Sequence, residues 1–225
     1  MEKSKLLFVD KPAGMTSHDV VNRVREITGV RRVGHGGTLD PFATGLLIVA
    51  VGREATKKLA RLVKLDKEYE ATIELGKTST TGDPEGAISK VVSKPYFAKA
   101  PKGLRRVSKL EIRGVLKNFL GKQKQTPPMF SAKKVKGKKL YELARKGHAI
   151  PRKPQDIEIK EIKLVNYRWP YLKIRALVSS GTYLRVLAQD IGERLGTGGY
   201  LKELRRTKVG RFDVQDALPL DKIAI

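Results

Sequence analysis

Gly34-His35-Gly36-Gly37-Thr38-Leu39-Asp40-Pro41-Phe42-Ala43-Thr44-Gly45 runs directly into Leu46-Leu47-Ile48-Val49-Ala50-Val51. The second half is unbroken, apolar and β-branched, which predicts a strand buried on both faces. In the first half, Gly34, Gly36 and Gly37 permit positive φ and let another backbone approach closely. Pro41 biases Asp40 towards an extended conformation. A carboxylate is therefore held beside an open loop that is rooted in the most buried strand, the rigid base a positioned catalytic group requires. An Asp-Pro turn whose carboxylate caps a backbone N–H is the competing reading of the same residues. The stretch lacks the G-x-x-x-x-G-K-[ST] pattern of a phosphate-gripping loop, which disfavours nucleotide hydrolysis. Position 42 is Phe, so a D-x-D phosphotransferase is unsupported as well.

Working outward, Lys5 to Val9 reads as a short strand. Thr16-Ser17-His18-Asp19 has the form of a capping box ahead of Val20, Val21, Val24 and Ile27 at helical spacing, with Gly29 closing the helix. Downstream, Arg53 to Leu65 predicts a helix. Lys67 to Leu75 alternates, with Tyr69, Ala71, Ile73 and Leu75 on one face, as a half-buried strand does. Gly82-Asp83-Pro84 marks a turn, Ala87 to Val92 a short strand, and the region around Lys109 to Phe119 a helix. A helix is expected over Leu140 to Lys146, strands over Ile157 to Tyr167 and Leu172 to Val178, and an amphipathic helix over Tyr183 to Leu195. Helices and strands are interspersed without a strict βαβ rhythm. The expectation is one α+β domain over residues 1–225 with a mixed, largely antiparallel sheet.

The chain has 225 residues, with 47 Lys and Arg against 23 Asp and Glu, a formal net charge of +24. Ordinary solubility needs a net magnitude of only about 2–8 in a small domain, so the excess points to a polyanion, and nucleic acid leads. The excess is uneven. Ten cations between Lys117 and His148 are opposed only by Glu142, a second group lies at Lys102, Arg105, Arg106 and Lys109, and a third at Arg194, Lys202, Arg205, Arg206, Lys208 and Arg211. With no cysteine, disulfides and thiolate metal sites are excluded, and His18, His35 and His148 have no metal-ligand spacing, so no metal is expected. The longest uncharged apolar run, Leu46 to Val51, is far short of the roughly 20 residues of a membrane-spanning helix. A cytoplasmic protein without membrane attachment is expected.

Five blocks resemble the TruB family: Lys11-Pro12-Ala13-Gly14-Met15-Thr16-Ser17-His18-Asp19, the Gly34 to Gly45 loop, Pro127-Pro128-Met129-Phe130-Ser131-Ala132-Lys133-Lys134, Lys138-Lys139-Leu140-Tyr141-Glu142 and Gly181-Thr182-Tyr183-Leu184-Arg185. They stand in the family's order. The resemblance implies the pseudouridine-synthase fold and an isomerase that makes pseudouridine at position 55 of the tRNA T loop, with no cofactor and no metal. It implies that Asp40 is the catalytic aspartate, an anion at neutral pH since an ordinary aspartate titrates near about 3.9. Arg185 pairs with Asp40 in the family pattern. Tyr69 stacks on the flipped uracil, Tyr183 and Leu204 wall the base pocket, and His35 enters the RNA where the nucleotide leaves the stack. Lys11 and Pro12 support the pocket. The basic stretch around residues 122–148, with Lys133, Lys134, Lys136, Lys138 and Lys139, corresponds to a thumb-like loop that grips RNA phosphates.

The family's bacterial members continue into a C-terminal PUA domain, which is not expected here because the sequence ends at Ile225. A monomer acting on the tRNA T arm is the expected form. A guide-dependent pseudouridylase of the dyskerin type and a non-catalytic tRNA-binding or folding factor are the alternatives.

Overall fold

The structure is a computed structural model and describes residues 4–91, 106–131, 134–135, 138–139 and 150–223. Two compact units emerge, one of Met1–Glu70, Leu177–Ser180 and Glu203–Ile225, the other of Ala71–Ala176 and Gly181–Lys202.

In the first unit the predicted apolar strand is β3 (Thr44–Val51). Strand β1 (Lys5–Lys11) lies antiparallel along one edge, from Lys5 opposite Val51 to Lys11 opposite Gly45. The other edge is shared. Strand β2 (Val33–His35) pairs antiparallel with Val49 to Val51, while the C-terminal part of a later strand runs parallel at Thr44 and Gly45, opposite Arg205 and Arg206. Between these ladders the chain finds other donors: Gly36 N–H bonds the Ile48 carbonyl at 2.8 Å, and the Arg206 guanidinium donates to the Leu46 carbonyl at 2.7 Å. Buried carbonyls need partners whether or not a strand supplies them.

Both faces of β3 are covered, as its composition predicts. Leu47, Val49 and Val51 pack with Val9, Val33 and with Val20, Val21 and Val24 of α1 (Ser17–Thr28). On the opposite face Leu46 and Ile48 pack with Leu62 and Val209. The capping box is formed: Thr16 Oγ1 accepts from Asp19 N, and Asp19 Oδ2 accepts from Thr16 N. The helix expected over 53–65 is two short ones, α2 (Arg53–Lys57) and α3 (Leu59–Val63), joined at Lys58, whose N–H bonds the Ala55 carbonyl in the tighter three-residue pattern.

Strand β4 (Lys67–Leu75) begins in the first unit and ends in the second. The second unit then carries β5 (Lys77–Ser79), β6 (Ile88–Lys90), α4 (Lys109–Lys117), β7 (Gly121–Gln125), β8 (Lys134–Val135), β9 (Lys138–Lys139) and β10 (Gln155–Arg168). Next follow β11 (Tyr171–Val178), α5 (Leu184–Arg194) and β12 (Gly199–Val209), the strand that reaches back beside β3, and then β13 (Phe212–Asp213) and β14 (Leu218–Pro219). In the second unit β10 lies between β11 and β7. Its core holds Ile73, Leu75, Ile112, Leu116, Phe119, Ile157, Ile159, Leu172, Ile174, Leu187 and Ile191. The helix expected over 140–146 lies outside the described residues.

Among the described strands of five or more residues, two are not announced by hydrophobic pattern. Strand β7 is Gly-Lys-Gln-Lys-Gln, and β12 is rich in Lys and Arg. Strand β12 holds its place beside β3 through backbone contact. Gly45 has φ +102°, and a methyl there would sit 2.3 Å from the Arg206 carbonyl oxygen. We expect Gly45→Ala to cost on the order of 3 kcal/mol, lowering Tm in a thermal unfolding scan by roughly 6–12 °C.

Candidate active site

The first unit holds four of the predicted site residues: His35, Asp40, Tyr69 and Leu204. Asp40 is half-buried, and both flanks of its backbone are pinned. On one side Ser17 Oγ accepts from Leu39 N–H at 2.8 Å and donates to the Leu39 carbonyl at 3.1 Å. On the other, the Pro41 carbonyl accepts from Gly14 N–H at 2.9 Å and from Lys11 Nζ at 3.1 Å. The ammonium of Lys11, on a wholly buried residue, also donates to the carbonyls of Pro12 and Met15. Ala43 N–H closes a turn onto the Asp40 carbonyl at 3.1 Å.

Arg206 latches the start of the loop to the start of the strand. It is 1% exposed, and it donates to the Gly37 carbonyl at 3.1 Å as well as to Leu46. Its charge reaches its neighbours. Lys67, buried and donating to the Val63 and Leu65 carbonyls at 2.6 Å, is pushed down to about 8 by burial and by Arg206, against the pull of Asp66. Burial also lowers His35, helped by the positive charges of Arg206 and His18 and opposed by a hydrogen bond with the Gly37 backbone, so its imidazole is neutral at pH 7. Tyr69 on β4 and Leu204 on β12 are both buried, and Thr44 Oγ1 donates to the Leu204 carbonyl at 3.5 Å.

The second unit holds Tyr183 and Arg185. The main chain of Tyr183, at the N-cap of α5, is gripped twice by Gln125: its N–H donates to Oε1 at 2.8 Å, and its carbonyl accepts from Nε2 at 3.1 Å. Arg185 is 4% exposed and forms an ion pair of 3.0 Å with Asp83, itself 3% exposed. The guanidinium also donates to the carbonyls of Thr81 and Phe130. Asp83 in turn accepts from Glu85 N–H and from the Thr81 hydroxyl. The sequence reading names Asp83 only as a turn residue. Its signal was present in Gly82-Asp83-Pro84, but a turn aspartate is ordinary until an arginine 102 positions later is folded against it. Ser17, Gln125 and Arg206 also carry functions that their residue types do not advertise.

Of the lysines expected in the thumb-like loop, Lys134, Lys138 and Lys139 lie on the β8–β9 ladder, with Lys134 opposite Lys139 and Val135 opposite Lys138. Lys133 and Lys136 lie outside the described residues. Several cations of the C-terminal basic group have partners within the protein. Arg206 is buried, Arg205 holds Asp10 in a two-pronged pair of 2.7 and 3.0 Å, Lys202 pairs with Glu74 and Lys208 with Asp213. Arg194 lies 4.3 Å over the Phe119 ring. Among the described residues no group of His, Cys, Asp and Glu is placed to hold a metal ion, and no helix is long and apolar enough to cross a membrane.

The model of the TruB family pseudouridylate synthase N-terminal domain matches residues 25–184, and that of the tRNA pseudouridylate synthase B C-terminal domain matches residues 185–225. The chain is 45% identical to a tRNA pseudouridine synthase B of Opitutus terrae over 99% of its own length and 88% of that protein's. It is 44% identical to that of Desulfotalea psychrophila over 95% and 85%. Among solved structures, a chain in a Cbf5-Nop10-Gar1 complex matches with TM-score 0.72 at 29% identity, over 96% of this chain and 52% of that one. A chain in an H/ACA RNP bound to a substrate RNA containing 2'-deoxyuridine matches with TM-score 0.68 at 27% identity, over 96% and 51%. The chain thus spans about half the length of these solved chains.

Two consequences of the buried charges are measurable. Asp83→Asn leaves the Arg185 guanidinium buried against a neutral amide and is expected to cost roughly 3–5 kcal/mol in urea unfolding. Lys67 binds its proton more weakly folded than unfolded, so its penalty is fully present below about pH 8 and is relieved as pH rises from there towards 10.5. Relative to Lys67→Met, the native protein should gain on the order of 2 kcal/mol between pH 7.5 and 10 in paired urea titrations.

Proposed function

The chain belongs to the TruB family of pseudouridylate synthases, and on that premise we propose that it converts uridine 55 of the tRNA T loop to pseudouridine with Asp40 as the reacting carboxylate. It is an isomerase acting on tRNA. The reaction breaks the N1–C1′ bond of the nucleotide, turns the freed uracil and joins C5 to C1′. The hydrogen on C5 leaves to solvent and N1 gains one, so composition and oxidation state are unchanged. Such a step asks for an anion held rigidly where the base separates from the sugar, to attack carbon or to assist departure of the base.

The observation that carries this reading is the fixation of Asp40. The residue before it is held by Ser17 and the residue after it by Lys11 and Gly14, on a loop latched by Arg206. A carboxylate that served only to cap a turn would not need that scaffold. By the family resemblance Arg185 serves the reacting carboxylate, and within its own unit Asp83 holds its guanidinium in one orientation. Tyr69 stacks on the extruded uracil and Leu204, in the same unit, is its apolar wall, while Tyr183 is carried over from the family resemblance as a further base-contacting residue. His35, neutral at pH 7, is suited to enter a base stack, since a neutral imidazole loses less hydration than a cation. The lysines of the thumb-like loop, Lys133, Lys134, Lys136, Lys138 and Lys139, engage phosphates of the T arm. The enzyme acts as a monomer in the cytoplasm over a single catalytic domain, without cofactor. Identities of 44–45% to proteins named tRNA pseudouridine synthase B, against 27% to a chain in an H/ACA RNP, favour action without a guide RNA.

The test is tritium release from transcribed tRNA carrying 5-³H-uridine, and from a bare T-arm hairpin. Native protein should release label from both, and only when a uridine stands at the T-loop position. Asp40→Asn should bind tRNA and release no label above background; turnover by that variant refutes the assignment of Asp40, and a requirement for added guide RNA refutes the stand-alone reading.

A further inference from the structure

We propose that Ser17 is a positioning residue for Asp40, acting through a two-point clamp of its hydroxyl on the backbone of Leu39. The proposal rests on Asp40 being the reacting carboxylate. Ser17 is 2% exposed and stands at the first position of α1. A serine there is ordinarily spent on the helix end, but that end is already served by Thr16 and Asp19. The hydroxyl is turned instead to a residue 22 positions away, where it accepts from Leu39 N–H at 2.8 Å and donates to Leu39 C=O at 3.1 Å. Both polar groups of one buried loop residue are thereby satisfied by one side chain.

The consequence for Asp40 is geometric. Leu39 C=O belongs to the peptide unit that leads into Asp40, so holding it fixes the plane from which the Asp40 side chain departs. The holder does not move, because Val20, Val21 and Val24 lock α1 into the core against Leu47, Val49 and Val51 of β3. Strand β3 in turn follows the same loop four residues after Asp40. The loop is therefore braced from a helix at one end and from its own strand at the other. Without the hydroxyl, Leu39 keeps a buried donor and acceptor without partners, and the loop relieves them by moving. Displacement of a reacting group by about 1 Å is enough to cost roughly 100-fold in rate.

Ser17→Ala tests this with two readouts. In single-turnover assays on T-arm RNA the rate constant should fall at least tenfold while the concentration for half-maximal rate stays within twofold. By hydrogen exchange, the Leu39 amide should exchange at least tenfold faster while the Val49 amide of β3 is unchanged. A rate within twofold of native overturns the proposal, and so does equal acceleration at Leu39 and Val49, which marks general loosening. If the alanine variant does not fold, Ser17→Cys, whose thiol bonds weakly, is read by the same criteria. Native protein that releases no tritium overturns the functional reading instead, and the exchange result alone then decides the clamp.

Discussion

The outer edge of β3 is shared by two strands that do not meet, and the Arg206 guanidinium stands where a third length of ladder is missing. Its bond to Leu46 completes the hydrogen bonding of the most buried strand, and its bond to Gly37 ties that strand to the loop that precedes it. A buried arginine is costly unless its donors are used. Here they are used on carbonyls that would otherwise be buried without partners, so two costs offset each other. Burial lowers the basicity of Lys67 and His35, and the same charge adds to that lowering.

The Gly34 to Gly45 loop is held mainly by side chains bonded to main chain. Ser17 grips Leu39, Lys11 and Gly14 grip Pro41, Arg206 grips Gly37, and in the other unit Gln125 grips Tyr183. A loop rich in glycine has high conformational entropy to lose, and bonds to its carbonyls and N–H groups restrict it without filling the space a substrate needs. The side chains exposed to chemistry are left to be chosen by the reaction, and the frame around them by the backbone.

Charge is divided in a similar way. A net +24 reads as a surface property, yet several cations of the C-terminal group are engaged in ion pairs, in a ring contact or in the core. In the basic stretch that begins at Lys117, Lys122 stands opposite Glu158 and Lys124 opposite Asp156 across the β7–β10 ladder, so acids remote in sequence face lysines with no acid nearby in the chain. The cations free of a facing acid are therefore fewer than the composition suggests.

The amino-acid sequence by itself determined whatever local physics enforces: the doubly covered apolar strand, the capping box of α1, the alternation of β4, the glycine loop presenting Asp40, and, through short blocks in order, the family. It did not disclose β7 or β12, because lysine, arginine and glutamine have no strand signature, and what makes them strands is the edge they pair with. Nor did it disclose the partner of Arg185 at Asp83, the Ser17 clamp or the burial of Arg206. Each joins residues from 22 to 169 positions apart, and the physical reason is the same: a polar side chain's function is set by which buried group lacks a partner, and only the tertiary structure decides that.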